Sequence, residues 1–470
     1  MRSTSWSEFY FCTLTTKEKD VCGVFGAFNC RKAAEICYVM GHAIQHRAKE
    51  YAGIASSDGS NIFCHKAKGI VQEVFDQDTL DKLHGKCAIG HIRYSTVEDN
   101  PKADNAQPIL GVFNNREVAI AHNGNLVNYS ELITKLKHPE RLKTKIDTEI
   151  ILRLFCESLA ESLVDRIYDS VKFLRGSYSL LILFDDTVIA IRDPWGNRPL
   201  SIGEFGDSLY FSSETVSFES LGVNTKRSVQ PGEILIVSKN ESKSYFFDEN
   251  SIYISPTNHK KAQCIFEKIY YSHPGSVVFD EAVVDFHLRA GKKLCQVCPT
   301  NTNCVVGVPD SAVYHAEGYA NEMGISSVRA IARHHYIGRT FILPFQYLRD
   351  LAVRKKFIII RRLVEGKDVV VVDDSIVRLT TMRGLVGLIR FAGAKSINLR
   401  IVSPMIISPC YYGIDTPNKS ELIAANHSKE EIRQECGADS LEFLSVEDLK
   451  SLVDNPDDYC FACMTGDYPI

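Results

Sequence analysis

Three near-continuous runs of apolar, mostly β-branched residues constrain this 470-residue chain more than any other feature: Cys304–Val308, Asp368–Val372 and Ser396–Val402. A strand with one wet face alternates apolar and polar side chains, so runs without alternation read as strands buried on both faces. Segments of helical period stand beside them, Ala312–Met323 and Thr381–Phe391 among them. Strand and helix in alternation predict βαβ units in a parallel sheet. The chain before residue 250 or so has a different texture, with short strands, turns and a few amphipathic helices. Ser177–Ile191 reads as a hairpin around Asp185–Asp186, closing in Arg192-Asp193-Pro194-Trp195-Gly196. Pro231-Gly232-Glu233 leads into a strand at Ile234–Val237, and helices are predicted at Ala33–Arg47 and Asp147–Ser162. A mixed α+β domain over 22–250 and an α/β domain over 262–435 are therefore expected, with a helical tail over 436–470.

Charge excludes some functions. Lys plus Arg number 54 against 58 Asp plus Glu, a net charge of −4, so no nucleic-acid surface or polybasic membrane patch is expected. No stretch approaches the roughly 20 apolar residues of a membrane helix. The polar, mixed segment Met1–Asp20 lacks the apolar centre of a secretory signal. Fifteen cysteines, an odd number in so long a chain, do not read as a disulfide framework. A reducing compartment, the cytoplasm, is expected.

Cys22 opens the apolar run Cys22-Gly23-Val24-Phe25-Gly26-Ala27-Phe28 and, taken alone, reads as a core cysteine. Its company changes that reading: His91-Ile92-Arg93-Tyr94, Ala121-His122-Asn123-Gly124-Asn125-Leu126 and Asp147-Thr148-Glu149. Singly, these are a solvated arginine, an Asn-Gly turn and a helix cap. In this order and spacing they resemble the N-terminal-nucleophile, class II glutamine amidotransferases. That resemblance implies an αββα sandwich and removal of a propeptide, here 1–21, so that Cys22 becomes residue one. The freed α-amino group then acts as base for its own thiol. An amine near pKa 7.7–8.0 and a thiol near about 8.5 are well matched for that transfer. Asn123 and Gly124 are implied as the oxyanion hole, Arg93 and Asp147 as ligands of the glutamine carboxylate and ammonium, with Arg47 and Thr96 lining the pocket.

In the second half, the apolar run ends in Asp373-Asp374-Ser375-Ile376-Val377-Arg378-Leu379-Thr380-Thr381. A buried strand, two acids and a hydroxyl-rich loop opening a helix form a phosphate-site pattern, since open α/β sheets bind ligands beyond the carboxyl ends of their strands. The plain alternative is a pair of acids capping a helix. The segment resembles the phosphoribosylpyrophosphate loop of type I phosphoribosyltransferases. The resemblance implies that Asp373 and Asp374 hold ribose hydroxyls and Mg²⁺, with Ser311 adding a metal-site oxygen. It also implies that Ser375, Arg378, Thr380 and Thr381 line the phosphate site, and that Arg339, in a closing loop Tyr336–Phe341, meets the diphosphate.

Cys264 in Cys264-Ile265-Phe266-Glu267, Cys410 in Pro409-Cys410-Tyr411-Tyr412-Gly413, and the pair Cys460 and Cys463 complete the pattern. Together with both halves they resemble the iron–sulfur branch of the glutamine phosphoribosylpyrophosphate amidotransferases, in which four such cysteines ligate a 4Fe–4S cluster. Cys295-x-x-Cys298 with Cys304 is a decoy, because it lacks a fourth ligand and Cys304 begins a core strand. The resemblance implies glutamine and phosphoribosyl pyrophosphate as substrates, purine nucleotides as inhibitors, and a homodimer or homotetramer. Leu379 stands where that family usually has glycine and is expected to crowd the phosphate; Met382 and Arg333-His334-His335 also depart from its pattern. These departures keep a second reading open, a divergent paralogue with glutaminase activity or a ligand-sensing role and impaired phosphoribosyl transfer.

Overall fold

The computed structural model describes residues 21–93, 105–248, 250–255, 260–333, 356–414, 416 and 418–470. Two antiparallel seven-stranded sheets make up the first half. Gly23–Phe28 lies at the centre of one, between Cys87–Arg93 and Ser208–Ser212. Arg116–Leu126 and Gly176–Phe184, second and third from one edge of the other, pair residue for residue from Val118↔Phe184 to Leu126↔Gly176.

Side chains on a strand point alternately to opposite faces, and here both faces are covered. Val24, Ala119, Ala121, Leu181 and Leu183 fill the space between the sheets. Phe25 and Ala27 face a helix, Ala33–Ala43, on the outside of the first sheet. Val118, Ile120, Leu180 and Ile182 face Asp147–Glu157 and Leu163–Val171 outside the second. The result is the expected αββα sandwich. Its boundary runs past residue 250, because Ile252–Tyr253 adds an edge strand to the second sheet. The predicted helices are shorter: one stops at Ala43 before a separate turn, Gln45–Arg47, and the other at Glu157, where Ser158 turns extended.

The apolar runs of the second half form a parallel sheet in the order Cys304–Gly307, Asp368–Asp373, Ser396–Ile401, Ser440–Phe443. Alternation again explains their composition. Val306, Val369, Val371, Ile397 and Leu399 pack on one face, while Val305, Val370 and Val372 pack on the other. The helix Leu379–Phe391 lays Leu379, Met382, Leu385, Val386 and Ile389 onto the first of these faces. Ser440–Phe443 corrects the expected domain boundary: the segment after 435 is not a purely helical tail, since Leu441 pairs with Leu399 as the sheet's fourth strand. Its short length and acidic flanks hide it from a periodicity reading. Among the described residues, no helix is long and apolar enough to cross a membrane.

Candidate active sites

Cys22 stands directly before the strand Gly23–Phe28, partly exposed, with Val21 buried behind it. The Cys22 carbonyl accepts a hydrogen bond from Arg47 Nε at 3.0 Å, and the Val21 N–H donates to the Arg47 carbonyl at 2.9 Å. Arg47 thus grips the backbone on both sides of the cysteine. From the facing sheet, Asn123 Nδ2 donates to Ser213 Oγ at 3.3 Å, and the same hydroxyl accepts the Val24 N–H at 3.0 Å. One serine therefore ties the start of the cysteine's strand to a carboxamide that still has a second N–H to offer. Next to it, a Cβ on Gly124 would lie 2.0 Å from the Ser177 carbonyl oxygen, so only glycine fits there.

Asp147 opens its helix at the rim of this site. Its carboxylate accepts the Leu126 N–H at 3.1 Å and the Thr148 N–H at 2.8 Å, and lies 3.3 Å from His122 Nδ1. Burial pushes its pKa up, but His122 and the backbone donors outweigh burial and hold it below the ordinary carboxylate range. It is an anion at neutral pH, suited to an ammonium. Arg93 ends the strand Cys87–Arg93, buried, donating to the Asn105 carbonyl at 3.0 Å, its guanidinium 6.0 Å from the centre of the Tyr51 ring. Thr96 lies outside the described residues. Arg47 departs from its expected place in the glutamine pocket. Its guanidinium is turned to the Cys22 carbonyl, Glu214 and Glu267, because those buried carboxylates compete for the fork.

In the second half, Asp373 and Asp374 emerge at the carboxyl end of a buried strand. The Asp374 N–H donates to Asp373 Oδ1 at 3.0 Å, Ser311 Oγ donates to Asp374 Oδ2 at 2.6 Å, and the Ser375 hydroxyl donates to the other Asp374 oxygen. Ser311 and Asp374, 63 residues apart, thereby share one oxygen-rich site. Thr380 and Thr381 are exposed on the first turn of the helix Leu379–Phe391. Arg378 pairs with Glu421 at 2.9 Å. Leu379 does not crowd this loop: it takes up helical backbone and turns its side chain into the core beside Ile376 and Met382. Arg339 and the closing loop 336–341 lie outside the described residues.

A short parallel pairing sets Cys264 opposite Cys460, and the Cys463 carbonyl accepts the Ile407 and Ser408 N–H groups at 3.0 and 3.1 Å. Cys264, Cys410, Cys460 and Cys463 then line one cavity with Asn197, Tyr412 and Tyr468. Burial pushes the Cys264 thiol up to about 12 and Cys460 up to about 11, with neighbouring thiols adding to the effect. Burial thus keeps these thiols neutral, and thiolates here would need a cationic centre beside them. Among the described residues, no three His, Cys, Asp or Glu side chains are grouped for a single ion. Cys304 is buried in its strand.

Several groups at the junction of the two halves make contacts that no sequence motif announces. The Tyr412 carbonyl accepts from Ser177 Oγ at 2.7 Å and from Arg198 Nε at 3.0 Å, and a Cβ on Gly413 would lie 2.9 Å from the Gly124 carbonyl carbon. Ser213, Glu214 and Glu267 are equally silent in the sequence. The one signal for Glu267 is an acid set among apolar residues in Cys264-Ile265-Phe266-Glu267-Lys268-Ile269.

Residues 91–220 match the model of a glutamine amidotransferase domain. The chain is 43% identical over 455 residues to the amidophosphoribosyltransferase of Bacillus subtilis (strain 168), covering 95% of this chain and 94% of that protein. It is 41% identical over 462 residues to the amidophosphoribosyltransferase of Methanocaldococcus jannaschii, covering 96% and 98%. Among solved structures, the glutamine phosphoribosylpyrophosphate amidotransferase from B. subtilis, complexed with ADP and GMP, superposes with a TM-score of 0.88 at 43% identity, covering 95% of this chain and 97% of that one. Since the likeness runs through both the sandwich and the parallel-sheet half at this identity, the chain belongs to the amidophosphoribosyltransferase family.

Proposed function

We propose that this protein transfers the amide nitrogen of glutamine to phosphoribosyl pyrophosphate, giving 5-phosphoribosylamine, glutamate and pyrophosphate. The observation that carries this reading is the near-full-length family match across two chemically distinct half-sites. In the processed chain the α-amino group of Cys22 takes the thiol proton, and the sulfur attacks the glutamine carboxamide carbon. Asn123 Nδ2 and the Gly124 N–H receive the developing oxyanion, a contribution of about 10²–10³-fold for such a donor. Arg93 and Asp147 hold the substrate carboxylate and ammonium. Ammonia leaves with the proton returned by the amine, and water cleaves the thioester to release glutamate.

In the second half the ammonia attacks the anomeric carbon and pyrophosphate departs. Asp373 and Asp374 orient the ribose hydroxyls, while Ser375, Thr380, Thr381 and the helix start receive the 5′-phosphate. Ser311, Asp373 and Asp374 form an all-oxygen donor set that fits Mg²⁺, which would neutralise charge on the diphosphate. Cys264, Cys410, Cys460 and Cys463 would hold a 4Fe–4S cluster, fastening the C-terminal segment to the body of the chain. Purine nucleotides are the proposed effectors, in keeping with the nucleotides bound to the B. subtilis relative. With Leu379 in the core, the main ground for a paralogue lacking phosphoribosyl transfer is gone.

Pyrophosphate release is measured with glutamine and, separately, with ammonium as nitrogen donor. Cys22→Ala abolishes the first and spares the second; equal loss of both would refute this division of labour.

A further inference from the structure

Glu267 belongs to the second half of the chain, yet its carboxylate faces the residue that grips Cys22. Its two oxygens accept from Arg47 as a fork, NH2 to Oε1 at 2.8 Å and NH1 to Oε2 at 2.9 Å. Arg198 NH1 reaches the same Oε1 at 3.1 Å, and Ser272 Oγ donates to Oε2 at 3.0 Å. Arg47 NH1 also meets Glu214 Oε1 at 2.7 Å, and Glu214 accepts from the His273 N–H and from Ser276 Oγ. The side chains of Arg47, Arg198, Glu214 and Glu267 are fully buried.

A buried set of two cations and two anions contributes little net stability compared with apolar packing. What a bidentate pair does supply is a fixed plane and direction. Here the fixed plane is that of the Arg47 guanidinium, whose remaining Nε donates to the Cys22 carbonyl. Processing makes that bond matter more. Removal of 1–21 takes away buried Val21 and its N–H bond to the Arg47 carbonyl, leaving Cys22 at a chain end where Arg47 Nε still holds it.

We propose that Glu267 is a positioning residue for the Cys22 nucleophile, acting across the domain junction by locking the Arg47 fork that orients the terminal residue's amine and thiol. This rests on the reading of Cys22 as the glutaminase nucleophile.

The test is steady-state glutamine hydrolysis by the processed full chain carrying Glu267→Gln or Glu267→Asp. An ångström of misplacement costs about 10²-fold, so in Glu267→Gln kcat falls about 10- to 100-fold while the KM for glutamine stays within about threefold. Glu267→Asp keeps the charge and recovers part of the lost kcat. A folded Glu267→Gln enzyme with unchanged kcat, or one altered only in KM, would overturn the proposal, as would an Asp variant no better than Gln. If Glu267→Gln does not fold, Glu267→Asp decides alone: lowered kcat at unchanged KM supports the role, and wild-type kcat removes it. Glutamine hydrolysis surviving in Cys22→Ala is a separate result, which would sink the nucleophile assignment itself.

Discussion

Gly413→Ala offers a sharp test of how the two halves meet. Gly413 follows the loop of Cys410 and lies against the backbone of Gly124, far from any glutaminase motif in sequence. A Cβ there would sit 2.9 Å from the Gly124 carbonyl carbon and 3.1 Å from its oxygen, where ordinary contact begins at 3.4 Å. One of the two backbones must yield by about half an ångström, and neither is a flexible side-chain end. Gly413 also has a φ of +93°, which an L-residue adopts at a cost of about 1–2 kcal/mol. If an ångström of misplacement is worth about 10²-fold, half of that lowers glutamine hydrolysis about tenfold, or about 1.4 kcal/mol in barrier. The assay is glutamate release from glutamine, run beside ammonium-driven pyrophosphate release, which makes no use of Gly124. The glutamine rate falls and the ammonium rate holds. A parallel fall in both, or a wild-type glutamine rate, would refute the argument that this contact shapes the oxyanion site.

Leu379→Ala removes a core side chain and lowers stability by an amount at the lower end of about 2–5 kcal/mol, read by chemical denaturation. The KM for phosphoribosyl pyrophosphate in the ammonium reaction stays unchanged; tighter binding would mean that Leu379 faces the phosphate after all. Protein purified without oxygen shows broad visible absorbance that Cys460→Ser loses, and a colourless wild-type protein would dismiss the cluster. His91, pushed down to about 3 by burial, stays neutral in the folded chain. The unfolded chain protonates it near pH 6.5, so stability falls by about 1.4 kcal/mol per unit as pH drops from there toward 3. His91→Gln flattens the slope of urea stability against pH by that amount between pH 6 and 4, and an unchanged slope would show that His91 is not the group responsible.

Much of the architecture is legible in the order of residues because it follows from local rules. A valine run without polar interruption has nowhere to go but between two covered faces, and Asp185–Asp186 between apolar runs marks a hairpin. The chemical residues were legible for a related reason: Cys22, Asn123-Gly124 and Asp373-Asp374 sit in short segments whose side-chain types and neighbours carry their own signal. Ser440–Phe443 was not legible, since four residues are too few for a period to declare itself. Leu379 was misread because sequence shows a side chain near a phosphate loop without showing which face of the helix it takes.

Arg47 marks the boundary between the two kinds of information. Its residue type and its place just after the helix that follows the nucleophile's strand were evident, but its partner Glu267 lies 220 residues away. Burial of both groups in one low-dielectric junction, which makes an unpaired charge intolerable, selects that pairing. By itself the sequence determined which strands are buried and which side chains are capable of chemistry. The tertiary structure alone decided which buried charges find each other, because that choice depends on distance and desolvation in space, and neither leaves a mark in the local order of residues.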